Sequence, residues 1–378
     1  MRKIYLDNAA TTPMFDEVID EISNSMKTIY GNPSSTHQFG RTAKAAIENS
    51  RKNIAGMLNV SASEIIFTSG GSEADNLILN NAVVNLGVTQ IITSTLEHHA
   101  VLNTVKELSL NYQVKVSYVN VDSHGIIDLV HLRTLLANDN YQSLVSLMFV
   151  NNEIGNILNV KKVATICKEY HAFFHSDAVQ AIGHLPIDLR DLSVDFVAAS
   201  AHKFHGPKGV GFAYFRKGIG VKPLFFGGEQ EKGARAGTEA VHLILGMEKA
   251  LSMSLDTLQK DFLYIKKLKQ NFIFLLKETF KNVKFNGGSE NLETSTVTIL
   301  NVQFSKEFPF LLFHLDMNGI AVSGGSACQS GSNKGSHVLN AILPEAETVN
   351  TSIRFSFSKF TKEEDLQYVI NVLKEKVL

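Results

Sequence analysis

Short apolar runs recur along the first two thirds of the chain, at Ile65–Thr68, Gln90–Ser94, Val114–Val119, Leu144–Val150, Ala172–His175, Asp195–Ala199 and Val210–Tyr214. The stretches between most of them repeat their apolar positions at helical spacing. Strands alternating with helices predict a mainly parallel, seven-stranded sheet covered by helices. Beyond Thr238 the pattern changes. Helical periodicity runs from about Val241 to Lys281, and strands near Thr296–Val302, Ile320–Ser323 and Ser352–Phe357 then mix with helices near Phe308–Met317 and Thr361–Val377. That predicts an α/β chain in two domains: a large one over residues 14–255, and a smaller α+β one over 256–378 completed by residues 1–13. A chain of 378 residues with 44% hydrophobic content can bury cores of that size.

The run Ser200-Ala201-His202-Lys203-Phe204-His205-Gly206-Pro207 follows a short buried strand with a lysine between two imidazoles and a turn. Neighbouring histidines and burial lower an amine's pKa and suit a Schiff-base nucleophile, although a lone lysine also fits a solvated surface. The end of a core strand is where open α/β sheets place chemistry. Asp177 ends another apolar run, before Ala178-Val179-Gln180. It can hold a pyridinium nitrogen protonated, as pyridoxal phosphate (PLP) requires, with Gln180 in reach of the ring hydroxyl; by itself it fits a helix N-cap equally well. Phe67-Thr68-Ser69-Gly70-Gly71-Ser72-Glu73-Ala74-Asp75-Asn76 turns from a strand into a helical pattern through two glycines. Such a turn offers backbone N–H groups to a phosphate, with Ser72 and Asp75 spaced as a helix cap, and it is neither a Walker A nor a dinucleotide fingerprint.

Alternation in Ser352-Ile353-Arg354-Phe355-Ser356-Phe357 places Arg354 on the face opposite Ile353, Phe355 and Phe357. A guanidinium there suits a carboxylate, or is a surface arginine. Cys328 lies in the glycine- and serine-rich stretch 323–336, whose composition predicts mobility, which suits a thiol that moves between sites or simply a free thiol in a flexible loop. Cys167, in the helical pattern 160–170, reads as a core residue. With only these two cysteines, far apart, neither a disulfide framework nor a metal-binding CxxC pair is visible, and a reducing compartment is expected. The net charge of −1 gives no sign of direct nucleic-acid or membrane binding. No apolar run approaches the ~20 residues that span a bilayer. The N-terminus, which soon reaches a charge, has no apolar secretion core, so a cytoplasmic protein is expected.

Taken in order, these segments resemble the class V aminotransferases, and within them the cysteine desulfurases. The resemblance runs nearly end to end, through Tyr5-Leu6-Asp7-Asn8-Ala9-Ala10-Thr11-Thr12-Pro13, Gly31-Asn32-Pro33, Gly70 to Asn76, Glu97-His98-His99, Asn151-Asn152-Glu153, Ser176 to Gln180, the lysine segment, Arg235-Ala236-Gly237-Thr238, Ser326-Ala327-Cys328 and Ser352 to Ser356. It implies the fold-type I architecture of PLP-dependent transferases and PLP as cofactor, bound covalently by Lys203. It further implies Asp177 at the pyridine nitrogen, Gln180 at the ring oxygen and His98 stacked on the ring. Gly71, Ser72, Ser200 and His202 would hold the phosphate, and Thr238 would reach the phosphate of a neighbouring subunit, which makes the protein a homodimer. Asn152 and Arg354 match the residues that bind the substrate carboxylate, and His98 is also a candidate for proton transfer.

The implied reaction converts L-cysteine to L-alanine, with the sulfur passing to Cys328 as a persulfide. The stretch around Cys328 resembles the long-loop, nitrogen-fixation group, which hands sulfur to an iron–sulfur scaffold protein or to a sulfur-carrier or tRNA-thiolation protein. Ser358-Lys359 departs from the glycine and basic residue usual after the arginine strand. A selenocysteine lyase, a true class V aminotransferase and a catalytically silent PLP-fold scaffold remain as alternatives on these motifs.

Overall fold

The computed structural model describes residues 2–137, 140–324 and 335–378. Its strands are β1 (Ile4–Tyr5), β2 (Ile65–Thr68), β3 (Gln90–Thr93), β4 (Lys115–Tyr118), β5 (Ser143–Ser146), β6 (Phe173–Asp177), β7 (Phe196–Ser200), β8 (Gly211–Phe215), β9 (Lys284–Phe285), β10 (Ile299–Gln303), β11 (Ile320–Ala321) and β12 (Ser352–Ser356). Seven of them form one sheet in the order β2-β8-β7-β6-β5-β3-β4. The pairs from β7 to β4 are parallel, whereas β8 runs antiparallel to both β7 and β2. The expected mainly parallel seven-stranded sheet is therefore present.

Burial explains the unbroken apolar runs, since β2, β3, β5, β7 and β8 are buried at every position, as strands covered on both faces must be. Ile65, Phe67, Val145, Phe174 and Val197 pack with the helices Gln38–Met57, Val160–Glu169 and Val241–Asp256 on one face. Their neighbours Ile66, Leu144, Phe196 and Ala198 pack with the helices Gly71–Val84 and His99–Tyr112 on the other. Within this sheet, edge strand β4 is the one with no buried position, and its Lys115 and Tyr118 face water. Cys167 is a free, buried thiol in the first of these clusters.

A third apolar cluster joins Ile4 and Leu6 to Leu268, Phe272, Leu300, Ile353, Phe355 and Ile370. It packs beneath the antiparallel sheet β12-β10-β9 and the parallel pair β1-β11. The first residues thus lie among elements from the far end of the chain, through Ile4 opposite Ile320 and Asp7 opposite Ser356.

Two element readings are corrected. The periodic stretch from Val241 to Lys281 is two helices, Val241–Asp256 and Leu258–Thr279, because Thr257 leaves helical geometry and its hydroxyl bonds the Met253 carbonyl and the Asp261 carboxylate. The apolar run expected as a strand to Val150 stops pairing regularly at Ser146. Leu147 and Phe149 still donate to the carbonyls of His175 and Asp177, so the chain follows β6 to its end. Ser358-Lys359 forms a bonded turn. Thr361 Oγ1 accepts from the Ser358 N–H, and Lys359 reaches Asp261 at 3.3 Å across the Phe15 ring.

Candidate functional site

Parallel strands present their carboxyl ends on one edge, and β6 ends there at Asp177 and β7 at Ser200. A tight turn, Ala201–Lys203, follows β7 and turns Lys203 back toward the N-terminal segment. Its Nζ donates to the carbonyls of Ala9 at 2.7 Å and Ala10 at 2.8 Å. That segment is stitched to the lysine turn again by the Thr12 N–H and hydroxyl, both donated to the His202 carbonyl. Gln180 Nε2 donates to the Ala9 carbonyl as well, at 2.8 Å.

Around Lys203 opens a cavity of about 290 Å³. Gly71, Ser72, His98, Asn152, Asp177, Gln180, Ser200, His202, Lys203 and Arg354 all line it, so residues from most of the chain's length converge there. Thr238 does not line it and is exposed after Arg235. Cys328 and its stretch 325–334 lie outside the described residues.

The glycine turn works differently from the expected cap. Gly70, at φ 150°, is the N-cap residue and has no side chain with which to cap the helix, Ser72 is the second helical residue, and Asp75 turns inward and is buried. A Cβ on Gly71 would sit 2.6 Å from Val179 Cγ2, which only glycine avoids. The 14-residue helix therefore opens onto the cavity with bare backbone and its positive dipole end.

Asp177 is not a helix cap. Its Oδ1 accepts from the Val179 N–H at 2.9 Å within a turn, and burial raises its carboxyl above the usual range while His98 and Lys203 pull it back. His98 caps the helix His99–Tyr112. Its Nδ1 accepts from the Ala100 N–H at 3.1 Å, so the neutral ring carries its proton on Nε2. Burial lowers its pKa. His202 falls to about 4, chiefly by burial and then by the Lys203 charge, and its Nδ1 meets Thr11 Oγ1 at 3.2 Å. His205 does not flank the lysine chemically. It turns to φ 64°, stacks on Phe15 at 4.5 Å and hydrogen-bonds the Pro13 carbonyl.

Arg354 faces away from Ile353 and Phe355, as alternation requires, yet it is fully buried and no surface arginine. Nη1 donates to the Asn152 carbonyl at 2.8 Å and Nη2 to Asp7 Oδ1 at 2.9 Å, while the buried Nε has no hydrogen-bond partner among the described residues. Asp7 also accepts from Ser323 Oγ at 2.8 Å. Sequence reasoning missed Asp7, whose only signal was its place in the N-terminal motif. It also missed His337, which lines the cavity with its ring 4.5 Å from that of His99, and the inward turn of Asp75.

The class V aminotransferase model matches residues 4–369. The chain belongs to this family. Among curated relatives, it is 42% identical over 375 residues to cysteine desulfurase IscS of Dictyoglomus turgidum, covering 98% of this chain and 94% of that one. It is 38% identical over 378 residues to a cysteine desulfurase of a Nostoc species, covering 99% and 93%. A solved NifS-like protein superposes with a TM-score of 0.90 at 37% identity, covering 99% of both chains. One from Rickettsia africae gives 0.88 at 33% identity and the same coverage. Within the family the chain groups with the cysteine desulfurases, which are PLP-dependent enzymes. Among the described residues no helix is long and apolar enough to cross a membrane.

Proposed function

We propose that this chain converts L-cysteine to L-alanine with PLP and passes the sulfur through Cys328 to an acceptor protein of iron–sulfur cluster assembly or tRNA thiolation. The observation that carries the reading is the convergence of Lys203, Asp177, the Gly71 helix terminus and Arg354 on one cavity. The residues fit the cofactor. The bare backbone at Gly71, with Ser72, Ser200 and His202 around it, suits a phosphate. The buried Asp177 carboxylate, held by one N–H, suits a protonated ring nitrogen, Gln180 suits the ring oxygen, and the Lys203 amine suits the aldehyde. His98 supplies a flat ring for stacking. When bound, PLP supplies an electron sink that lets an amino acid lose its Cα proton.

The chain's own groups do the rest. Arg354 and Asn152 bind the substrate carboxylate and so fix the Cα. The Lys203 amine takes the α-proton, and His98, with its N–H on Nε2, moves a proton on the opposite leg. The Cys328 thiolate attacks the substrate sulfur. An S–S bond forms as the Cβ–S bond breaks, and protonation at Cβ yields L-alanine. Thr238, exposed on its own subunit, reaches the phosphate of a second copy in a homodimer. Residues 14–255 form the large domain, and 1–13 with 256–378 the smaller one, a division supported by the separate apolar clusters. The protein works in the cytoplasm.

The test is L-alanine formation from L-cysteine with a thiol reductant, for the parent and for Cys328→Ala. Alanine and matched persulfide or sulfide from the parent alone, with the cofactor absorbance retained in both, is the expected result. Full turnover by Cys328→Ala would refute the sulfur route. Preference for selenocysteine, or keto-acid-dependent amino transfer, would replace the substrate assignment.

A further inference from the structure

Asp75 sits one turn into the helix that opens onto the cavity, buried and lining it, with no role in the scheme above. Its Oδ1 lies 3.4 Å from Nε2 of His175, which is fully buried on β6. The other ring nitrogen of His175 meets Ser146 Oγ at 2.9 Å. His175 and Asp177 share a face of β6, about 7 Å apart along the strand. We propose that Asp75 is a positioning residue for Asp177: it is held as the un-ionised acid with its proton directed at His175 Nε2, and so leaves Asp177 as the anion that faces the cofactor's ring nitrogen.

The surroundings divide the two carboxyl groups. Asp177 has the Lys203 ammonium, and the His98 ring whenever it is protonated, to oppose its burial. Asp75 has the acids Asp177 and Glu97 beside it, and burial first, then the two acids, raise its pKa well above the carboxylate range. The remaining cation of the cavity, Arg354, is bonded to Asp7. From β6, His175 faces Asp75 as a neutral ring, since burial pushes its pKa down to about 3. Glu97, after β3, is itself raised to about 8 by burial. A second proton therefore belongs on Asp75 and not on Asp177. A floor with one anion matches one pyridinium charge, whereas two would be left with an unpaired buried carboxylate.

This inference rests on the cofactor reading above, and one experiment separates the two. Infrared spectra are recorded near neutral pH, without and with PLP, for the parent, Asp75→Asn and Glu97→Gln. The expected result is an un-ionised carboxylic-acid carbonyl band that is lost in Asp75→Asn and survives in Glu97→Gln, beside a separate band from Glu97 that only Glu97→Gln removes. In the PLP-loaded protein, the pH midpoint of the visible absorbance should move by less than about 0.3 unit in Asp75→Asn, because an amide replaces a neutral acid. A parent without that band, a band unaffected by Asp75→Asn, or a midpoint that falls by about one unit or more would overturn the proposal. Failure of the parent to take up PLP would instead sink the functional reading, and the infrared band, which needs no cofactor, would still decide the state of Asp75.

Discussion

Replacing Lys269 by methionine should stabilise this protein, and by an amount that depends on pH. Lys269 lies on the helix Leu258–Thr279, is fully buried, and donates to Ser295 Oγ at 3.0 Å and to the Thr296 carbonyl at 2.8 Å. Among the described residues no carboxylate pairs with it, and burial pushes its ammonium down to about 7 from 10.5. The unfolded chain therefore binds one more proton than the folded one between those values, so stability rises with pH across that window. At about 1.4 kcal/mol per unit, the penalty is on the order of 5 kcal/mol at pH 7 or below, and it fades toward pH 10.5. Methionine removes that penalty and forfeits two hydrogen bonds worth about 1 kcal/mol each, which leaves a net gain of roughly 2–3 kcal/mol near neutrality. Denaturant midpoints of both proteins, measured from neutral to alkaline pH, give the difference free of other titrating groups. The gain should shrink by about 1.4 kcal/mol for each unit of rising pH. A parallel pair of pH profiles, or a methionine variant less stable at neutrality, would refute the account of a buried lysine forced neutral.

Asp7→Asn keeps the hydrogen-bond acceptor for Arg354 and Ser323 but removes the charge beside a buried guanidinium. The substrate-free protein should lose about 2 kcal/mol, and carboxylate ligands such as L-alanine should restore more stability to it than to the parent in a thermal-shift titration; equal restoration would argue that Arg354 does not meet the ligand carboxylate. Glu231→Gln breaks a two-pronged pair with Arg51, at 2.7 and 2.8 Å and almost wholly buried, that also accepts the Phe67 N–H. A loss of about 3 kcal/mol in unfolding free energy is expected. Because Glu231 anchors the segment leading to Thr238, sedimentation should also show a weaker dimer, and an unchanged association constant would count against Thr238 as a contact between subunits.

The parallel sheet was legible because its strands are buried on both faces and leave continuous apolar runs, as in Phe196-Val197-Ala198-Ala199. Lys203 and Asp177 were legible for a local reason too, since each follows such a run at its carboxyl end. Arg354 shows where locality stops. Alternation correctly gave its face, but its burial comes from Asp7, 347 residues away, and from the Asn152 carbonyl. The break at Thr257 carried no glycine or proline, and the two helices it separates belong to different apolar clusters, which periodicity within one stretch does not report. Asp75 was misread because its spacing from Ser72 fits a cap. The positive φ of Gly70 starts the helix earlier and rotates Asp75 toward β6.

The N-terminal segment is what turns these separate strand ends into one site. Its Ala9 and Ala10 carbonyls hold Lys203, Ala9 also accepts from Gln180, Thr12 bonds the lysine turn, and Asp7 neutralises Arg354. The same segment enters through β1, which pairs with β11. The large sheet thus supplies Asp177, Ser200 and Lys203, and the third apolar cluster supplies the strand bearing Arg354. A dozen residues at the start of the chain bond to both. Because Lys203, Gln180 and Arg354 all lean on those few backbone and carboxylate oxygens, a change that loosens residues 7–12 should act on the placement of Lys203 and of Arg354 together, and not on either alone.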